Sequence, residues 1–199
     1  MTAGITFTCP NGSRAASGSI SFSGGQVDGE PAASLALTLN PDQRNRRGLQ
    51  LEGLHESVGD ADFTGVGIHA FRVFGNGAIA GLVGGVARDT APDLETLDLA
   101  AFGAEGQLPL DRLLLAAQAG IVDADPGGGD TFLVTDATWY GDGWTAAGGT
   151  RDVGDRDSRY VEGAVQVLPR KGRSLWAYLG ATGGDADMAY GGIELDRPP

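Results

Sequence analysis

The sequence has little cysteine, little histidine and no long apolar run, and each scarcity removes a class of protein. Cys9 is the only cysteine, so neither an intrachain disulfide nor a Cys-based zinc site can form. His55 and His69 are the only histidines, which leaves little for a His-rich metal centre. No stretch approaches the roughly 18 consecutive apolar residues of a transmembrane helix. Only 20% of residues are charged and the net charge is -12, so no nucleic-acid partner is expected, because phosphate binding needs clustered Lys and Arg. The opening MTAGITFTCPNGS lacks a basic segment followed by an apolar one. A chain without a signal peptide is therefore expected, either intracellular or with its leader replaced by Met1. Nucleophile elbows, P-loops, H-E-x-x-H and paired-cysteine motifs are absent as well.

What the chain does have is 34 glycines and an alternation of two kinds of turn. Six turns are rich in acids: VDGE (27–30), VGDAD (58–62), RDTAPDLE (88–95), DADPGGGD (123–130), DVGDRD (152–157) and GGDAD (183–187). Between them come five that are acid-poor or basic: NPDQRNRR (40–47), FGNG (74–77), QLPLD (107–111), YGDG (140–143) and LPRKG (168–172). The acid-rich set holds 15 of the 26 acids. The segments between turns have the length of membrane-spanning β-strands, about 9–11 residues. They predict strands at 18–26, 31–39, 48–57, 62–73, 77–87, 96–107, 111–122, 131–140, 143–151, 158–168, 173–182 and 187–195. LPLDRLLLAAQAG (108–120) has helical composition, but Gly120, Ile121 and Val122 carry it into an Asp/Gly turn and its neighbours alternate with period two, so it too is read as strand. Asn76-Gly77 and Asp142-Gly143 are expected as two-residue type I′ hairpin turns, with Asp28-Gly29 as a third.

Twelve such strands leave no room for crossover helices, which excludes a parallel sheet. The expected fold is all-β: an antiparallel up-and-down β-barrel of 12 strands with short hairpin turns. It would cover residues 18–196, between a tail or plug at 1–17 and a short tail at 197–199. A closed barrel removes the exposed edges of a long meander. In such a meander the acid-rich turns share one rim and the acid-poor or basic turns, with Arg44, Arg46, Arg47, Arg170, Lys171 and Arg173, share the other. Mid-strand polar residues fall every second position. Tyr160, Glu162 and Gln166 oppose Val161, Val165 and Val167; Gly103, Glu105 and Gln107 oppose Ala100, Phe102 and Ala104. This fits a polar lumen inside an apolar exterior, and Glu105, Gln107, Gln118, Asp136, Glu162, Gln166 and Glu194 are the candidate lumen residues. A soluble β-barrel or sandwich with an apolar core gives the same period. Phe71, Phe74, Trp139, Tyr140, Trp144 and Trp176 fall near the acid-poor turns, as an aromatic girdle at a membrane interface would.

On the residues SGGQVDGE (23–30), GLQLEGLHESVGDADFTGVGIHAFRV (48–73), DATWYGDGWTAAGG (136–149) and SLWAYLGATGGDADMAYGGIEL (174–195), the chain resembles Gram-negative outer-membrane β-barrel, porin-like proteins of unassigned function. The resemblance implies a transmembrane barrel in the cell outer membrane, with lipid as its partner and the acidic loops at the cell surface. Its expected function is non-catalytic, as a small pore or as a structural or surface interaction protein. The alternative is a soluble extracellular ligand-binding or interaction module.

Three further motifs bear on chemistry. The pattern G-x-G-x-x-A starts at Gly65, Gly75 and Gly141, but each sits by a hairpin turn and runs into another strand rather than a helix, so no nucleotide is expected. Asp123, Asp125 and Asp130 are candidate metal ligands through oxygen; the simpler reading is a solvated turn. No resident cofactor is expected, although calcium or magnesium could bind loosely at the acidic turns as a whole. His55 and Ser57 share a strand face as base and nucleophile would. The pair resembles the His-x-Ser of the outer-membrane phospholipase family, itself a twelve-stranded barrel. Antiparallel pairing would set Thr64 opposite His55 and Asp62 opposite Ser57. An outer-membrane lipid hydrolase is thus the third reading, and the simpler one is a polar pair at a barrel rim. His69 reads as a lumen or interface residue with a local hydrogen bond.

Overall fold

A computed structural model describes residues 17–27, 30–42, 46–92, 95–170, 173–184 and 188–197. The expected tail or plug at 1–17 lies, apart from Ser17, outside the described residues, as do Asp28-Gly29 and the tip of GGDAD. The described chain is strand almost throughout. In order come β1 (Ser17–Val27), β2 (Glu30–Asp42), β3 (Arg47–Val58) and β4 (Ala61–Val73). They are followed by β5 (Ile79–Thr90), β6 (Leu97–Leu110), β7 (Leu113–Asp125) and β8 (Gly128–Tyr140). The last four are β9 (Trp144–Val153), β10 (Arg156–Arg170), β11 (Arg173–Gly184) and β12 (Met188–Arg197). Each strand pairs with its sequence neighbours, and β1 closes on β12 from Gly18↔Arg197 to Val27↔Met188. The result is a closed antiparallel 12-strand barrel of up-and-down order. Closure pairs every strand on both sides, which satisfies the backbone without an exposed edge.

The helix-like segment 108–120 is strand, divided between β6 and β7. The turn lies later than expected, at Asp111-Arg112 rather than across QLPLD, because Asp111 itself takes the left-handed conformation (φ 55°). Asn76-Gly77 and Asp142-Gly143 do not form type I′ turns. Only the glycine of each pair has positive φ, Gly77 at 84° and Gly143 at 79°. The links are longer than two residues, Phe74–Ala78 and Gly141–Gly143, and a single left-handed glycine ends the turn. Gly77 N donates to Phe74 O at 3.0 Å, and Asn76 Oδ1 accepts from Ala78 N at 3.1 Å.

The links β1–β2, β3–β4, β5–β6, β7–β8, β9–β10 and β11–β12 lie at one rim, and these are the acid-rich turns. The other five links, the start of β1 and the end of β12 share the opposite rim. Register irregularities at Leu39/Asp42 in β2 and Gln166/Leu168 in β10 both fall near this second rim.

Burial decides which face of the period-two pattern lies inside. Among the described residues the buried apolar side chains are Ile79, Leu114 and Ala116, whereas Ser19, Thr38, Gln50, Glu56, His69, Glu105, Gln118 and Ser174 are buried polar ones. The large apolar residues are exposed, from Phe22 and Leu35 through Ile68, Phe102, Ile121 and Val161 to Ile193. The barrel is polar inside and apolar outside. Trp139, Trp144 and Phe74 are exposed near the acid-poor rim. Phe71 and Trp176 belong to the inner face instead. Phe71 lies on Gly48, where a Cβ would strike its ring, and Trp176 Nε1 donates to Ser174 Oγ at 3.2 Å.

Candidate functional site

The inner wall carries two polar clusters. The first runs along one side from β3 to β7. Gln50, Glu52 and Glu56 occupy alternate inward positions of β3, and His69 sits opposite Gln50 on β4. His69 Nδ1 is 2.7 Å from Glu105 Oε2 on β6, and Nε2 is 3.2 Å from Glu52 Oε2. Both ring nitrogens face carboxylate oxygens, so each N–H that the ring carries has an acceptor. Gln118 Nε2 on β7 donates to Glu105 Oε2 at 3.4 Å. Gln50 Nε2 donates to Glu52 Oε1 at 2.5 Å.

The second cluster centres on Arg151 of β9. Its guanidinium carbon lies 5.4 Å from the centroid of the Tyr160 ring on β10. The inward carboxylates Asp136 and Glu162 stand on the strands to either side of it. Asp136 and Tyr160 flank Gly149 on its two sides, and Glu162 pairs with Ala147. Gly149 is needed here because a Cβ would run into the Thr135 carbonyl and lie 2.9 Å from the Tyr160 ring. The glycine thus leaves the notch in which the ring lies. Thr138 Oγ1 donates to Asp136 Oδ1 at 2.8 Å, and Tyr190 Oη donates to Glu162 Oε2 at 3.1 Å. Tyr190 meets Tyr178 edge to face at 6.4 Å.

Arg151 also relates the two sides of the lumen. In the closed strand order β3 and β9 are six strands apart in either direction, so they face each other across the barrel. Glu56 lies two residues inside the acid-rich end of β3, and Arg151 two residues inside the same end of β9. The cation and this acid thus stand on opposite walls, just within the acid-rich mouth.

The seven sequence-derived lumen residues distribute over these clusters. Glu105 and Gln118 belong to the first, Asp136 and Glu162 to the second. Gln107 follows Glu105 on the inner face of β6, and its Oε1 is buried without a partner. Gln166 and Glu194 stand on either side of Trp176, on β10 and β12. Sequence reasoning missed Glu52, Glu56 and Arg151 as lumen residues. The signal for the first two is the series Gln50, Glu52, Glu56 on one parity of β3, opposite to that of His55 and Ser57. Arg151 ends its expected strand, 143–151, where periodicity assigns no face.

The other candidates stand elsewhere. Asp123 faces outward on β7, while Asp130 pairs with inward-facing Val122 and so points to the opposite side. Asp130 Oδ1 accepts from Thr131 N at 2.7 Å. Among the described residues no group of three or more His, Cys, Asp or Glu is gathered to hold a metal ion. His55 and Ser57 lie on the outer face of β3, with Thr64 opposite His55 and Asp62 opposite Ser57. His55 Nδ1 is engaged with Thr64 Oγ1 at 2.9 Å.

No protein-family model and no curated protein matches the sequence. Solved structures do match the barrel. The KdgM porin in complex with disordered oligogalacturonate aligns at 13% identity and TM-score 0.63, over 88% of this chain and 97% of that one. This is the outer-membrane barrel fold. The translocator domain of the autotransporter NalP from Neisseria meningitidis shares it at 12% identity and TM-score 0.60, over 95% and 90% of the two chains. The Acinetobacter baumannii outer membrane protein Omp33 does so at 10% and 0.51, over 92% and 98%. Within this outer-membrane barrel fold the inward carboxylates among the described residues include Glu52, Glu56, Asp89, Glu105, Asp130, Asp136, Glu162 and Glu194, against the inward Arg151 and His69.

Proposed function

We propose that the protein is a non-catalytic barrel of the outer membrane whose acid-lined lumen passes small cations. The observation that carries this reading is the inversion of burial: Glu105, Gln118 and His69 inside, and Phe102, Ile121 and Val161 exposed outside. A water-soluble protein rarely exposes a contiguous apolar surface of more than a few hundred Å², whereas a lipid-facing wall requires one. The excess of inward carboxylates supports cation preference, since rings of acids attract cations and repel anions. The oligogalacturonate of the KdgM complex is a polyanion, which an acid-lined passage disfavours, so that ligand is not carried over.

The test is to fold the chain in detergent, confirm a heat-dependent shift in gel mobility, and insert it into planar bilayers under a potassium chloride gradient. The expected reversal potential has the sign of a cation-selective path. Zero conductance would remove the pore and keep the barrel. Purification as a monomer from the aqueous fraction without detergent would favour the soluble module instead.

A further inference from the structure

The second luminal cluster holds a cation of the chain's own. An aromatic face, Tyr160, lies beneath the Arg151 guanidinium at 5.4 Å. Asp136 and Glu162 stand on the two neighbouring strands, and Glu56 stands at the same depth on the opposite wall. Both near acids are anchored by neutral donors, Asp136 by Thr138 at 2.8 Å and Glu162 by Tyr190 at 3.1 Å. Gly149 leaves room for the ring, since a Cβ there would lie 2.9 Å from it. The walls are thus set independently of the arginine. Arg151 itself is incompletely satisfied, because its Nε is buried and has no hydrogen-bond partner.

We infer that Tyr160, Asp136, Glu162 and Glu56 form a binding site for a guanidinium or related organic cation at the acid-rich mouth, and that Arg151 fills it as a tethered occupant. A π face with two or three carboxylates is the chemistry that recognises such cations, through attraction to the ring and charge-assisted hydrogen bonds to the acids. A free cation arriving at the mouth competes with Arg151 for the Tyr160 face. The inference rests on the pore reading only in requiring that a small solute can enter the mouth.

The probe is methylguanidinium chloride, titrated into the detergent-folded barrel and followed by ligand-observed NMR, with sodium chloride as the ionic-strength control. R151A empties the site, so its affinity for methylguanidinium is expected to exceed that of the unaltered protein by about tenfold or more. R151A/E162Q should lose most of that gain. Equal affinity in R151A and the unaltered protein would overturn the site, and so would a gain that survives intact in R151A/E162Q. If R151A does not fold unaided, its refolding yield with and without millimolar methylguanidinium becomes the readout. Recovery supports the site; failure to recover counts against it. Binding is measured without a membrane potential, so a barrel that conducts nothing leaves this result standing on its own.

Discussion

His69 Nδ1 and Glu105 Oε2 stand 2.7 Å apart although β5 runs between the strands that carry them. The bond bridges over β5 beside Gly81, which pairs with Phe71 on one side and Glu105 on the other. A side chain at Gly81 would meet Phe71 and the Ala70 carbonyl at less than 3 Å. The contact spans three strands on the inner wall, and both side chains are buried there.

H69A is therefore expected to leave Glu105 buried without its strongest partner. The cost should be roughly 1–3 kcal/mol, as for other buried polar groups that lose a bond, read as a lower urea midpoint for the folded barrel in detergent. E105Q should cost less, because the amide oxygen can still accept from the imidazole.

The opposite outcome is expected at the rim. Arg88 and Asp98 form a two-bond ion pair at 2.6 and 2.9 Å, yet both side chains are more than half exposed. R88A should change stability by less than about 1 kcal/mol, since exposed pairs contribute little. A loss comparable to that of H69A would mean that the rim is buried by lipid headgroups or by another chain.

The lipid-facing wall has its own discriminating substitution. Ile68 sits mid-strand on β4 and is 46% exposed. In a membrane I68R should destabilise the barrel by about 2–4 kcal/mol, the cost of an arginine near the bilayer midplane. Folding into liposomes titrated with urea measures it. An I68R barrel as stable as the parent would contradict a lipid-facing wall.

Gly149 tests the notch. G149A should lower stability by about 1–3 kcal/mol through overpacking, because the added Cβ meets the Thr135 carbonyl as well as the Tyr160 ring. Y160A should then fail to rescue G149A fully, since removing the ring leaves the backbone clash. Full rescue would place the whole conflict at the ring.

Selectivity offers a last check. E105Q/D136N/E162Q removes three inward carboxylates, and its reversal potential in a potassium chloride gradient should move toward zero or change sign. An unchanged value would locate the selectivity in the acidic turns at the rim.

Much of the fold was legible along the chain. Tyr160, Glu162 and Gln166 against Val161 and Val165 already declare strand, because only period two puts them on separate faces. The order of turns from VDGE to GGDAD likewise assigns two rims to any meander. The hairpin details were less legible. Asn76-Gly77 and Asp142-Gly143 suit a type I′ turn by composition, but the links are longer and only their glycines are left-handed. Of the site, Glu105, Gln118, Asp136 and Glu162 were found by parity, whereas Arg151 was not, because a residue at the end of an expected strand has no assigned face.

The sequence by itself determined the strands, their number and the separation of polar from apolar faces, since these follow from local periodicity and turn chemistry. Which face turned inward was decided only by the sense in which the closed sheet curves, seen in the burial of His69, Glu105 and Gln118 and the exposure of Phe102, Ile121 and Val161, because a soluble barrel and a membrane barrel share the same alternation. Closure also decided that Glu56 and Arg151 face each other. They lie on strands six apart in both directions, and nothing in the local chain around either residue records the other.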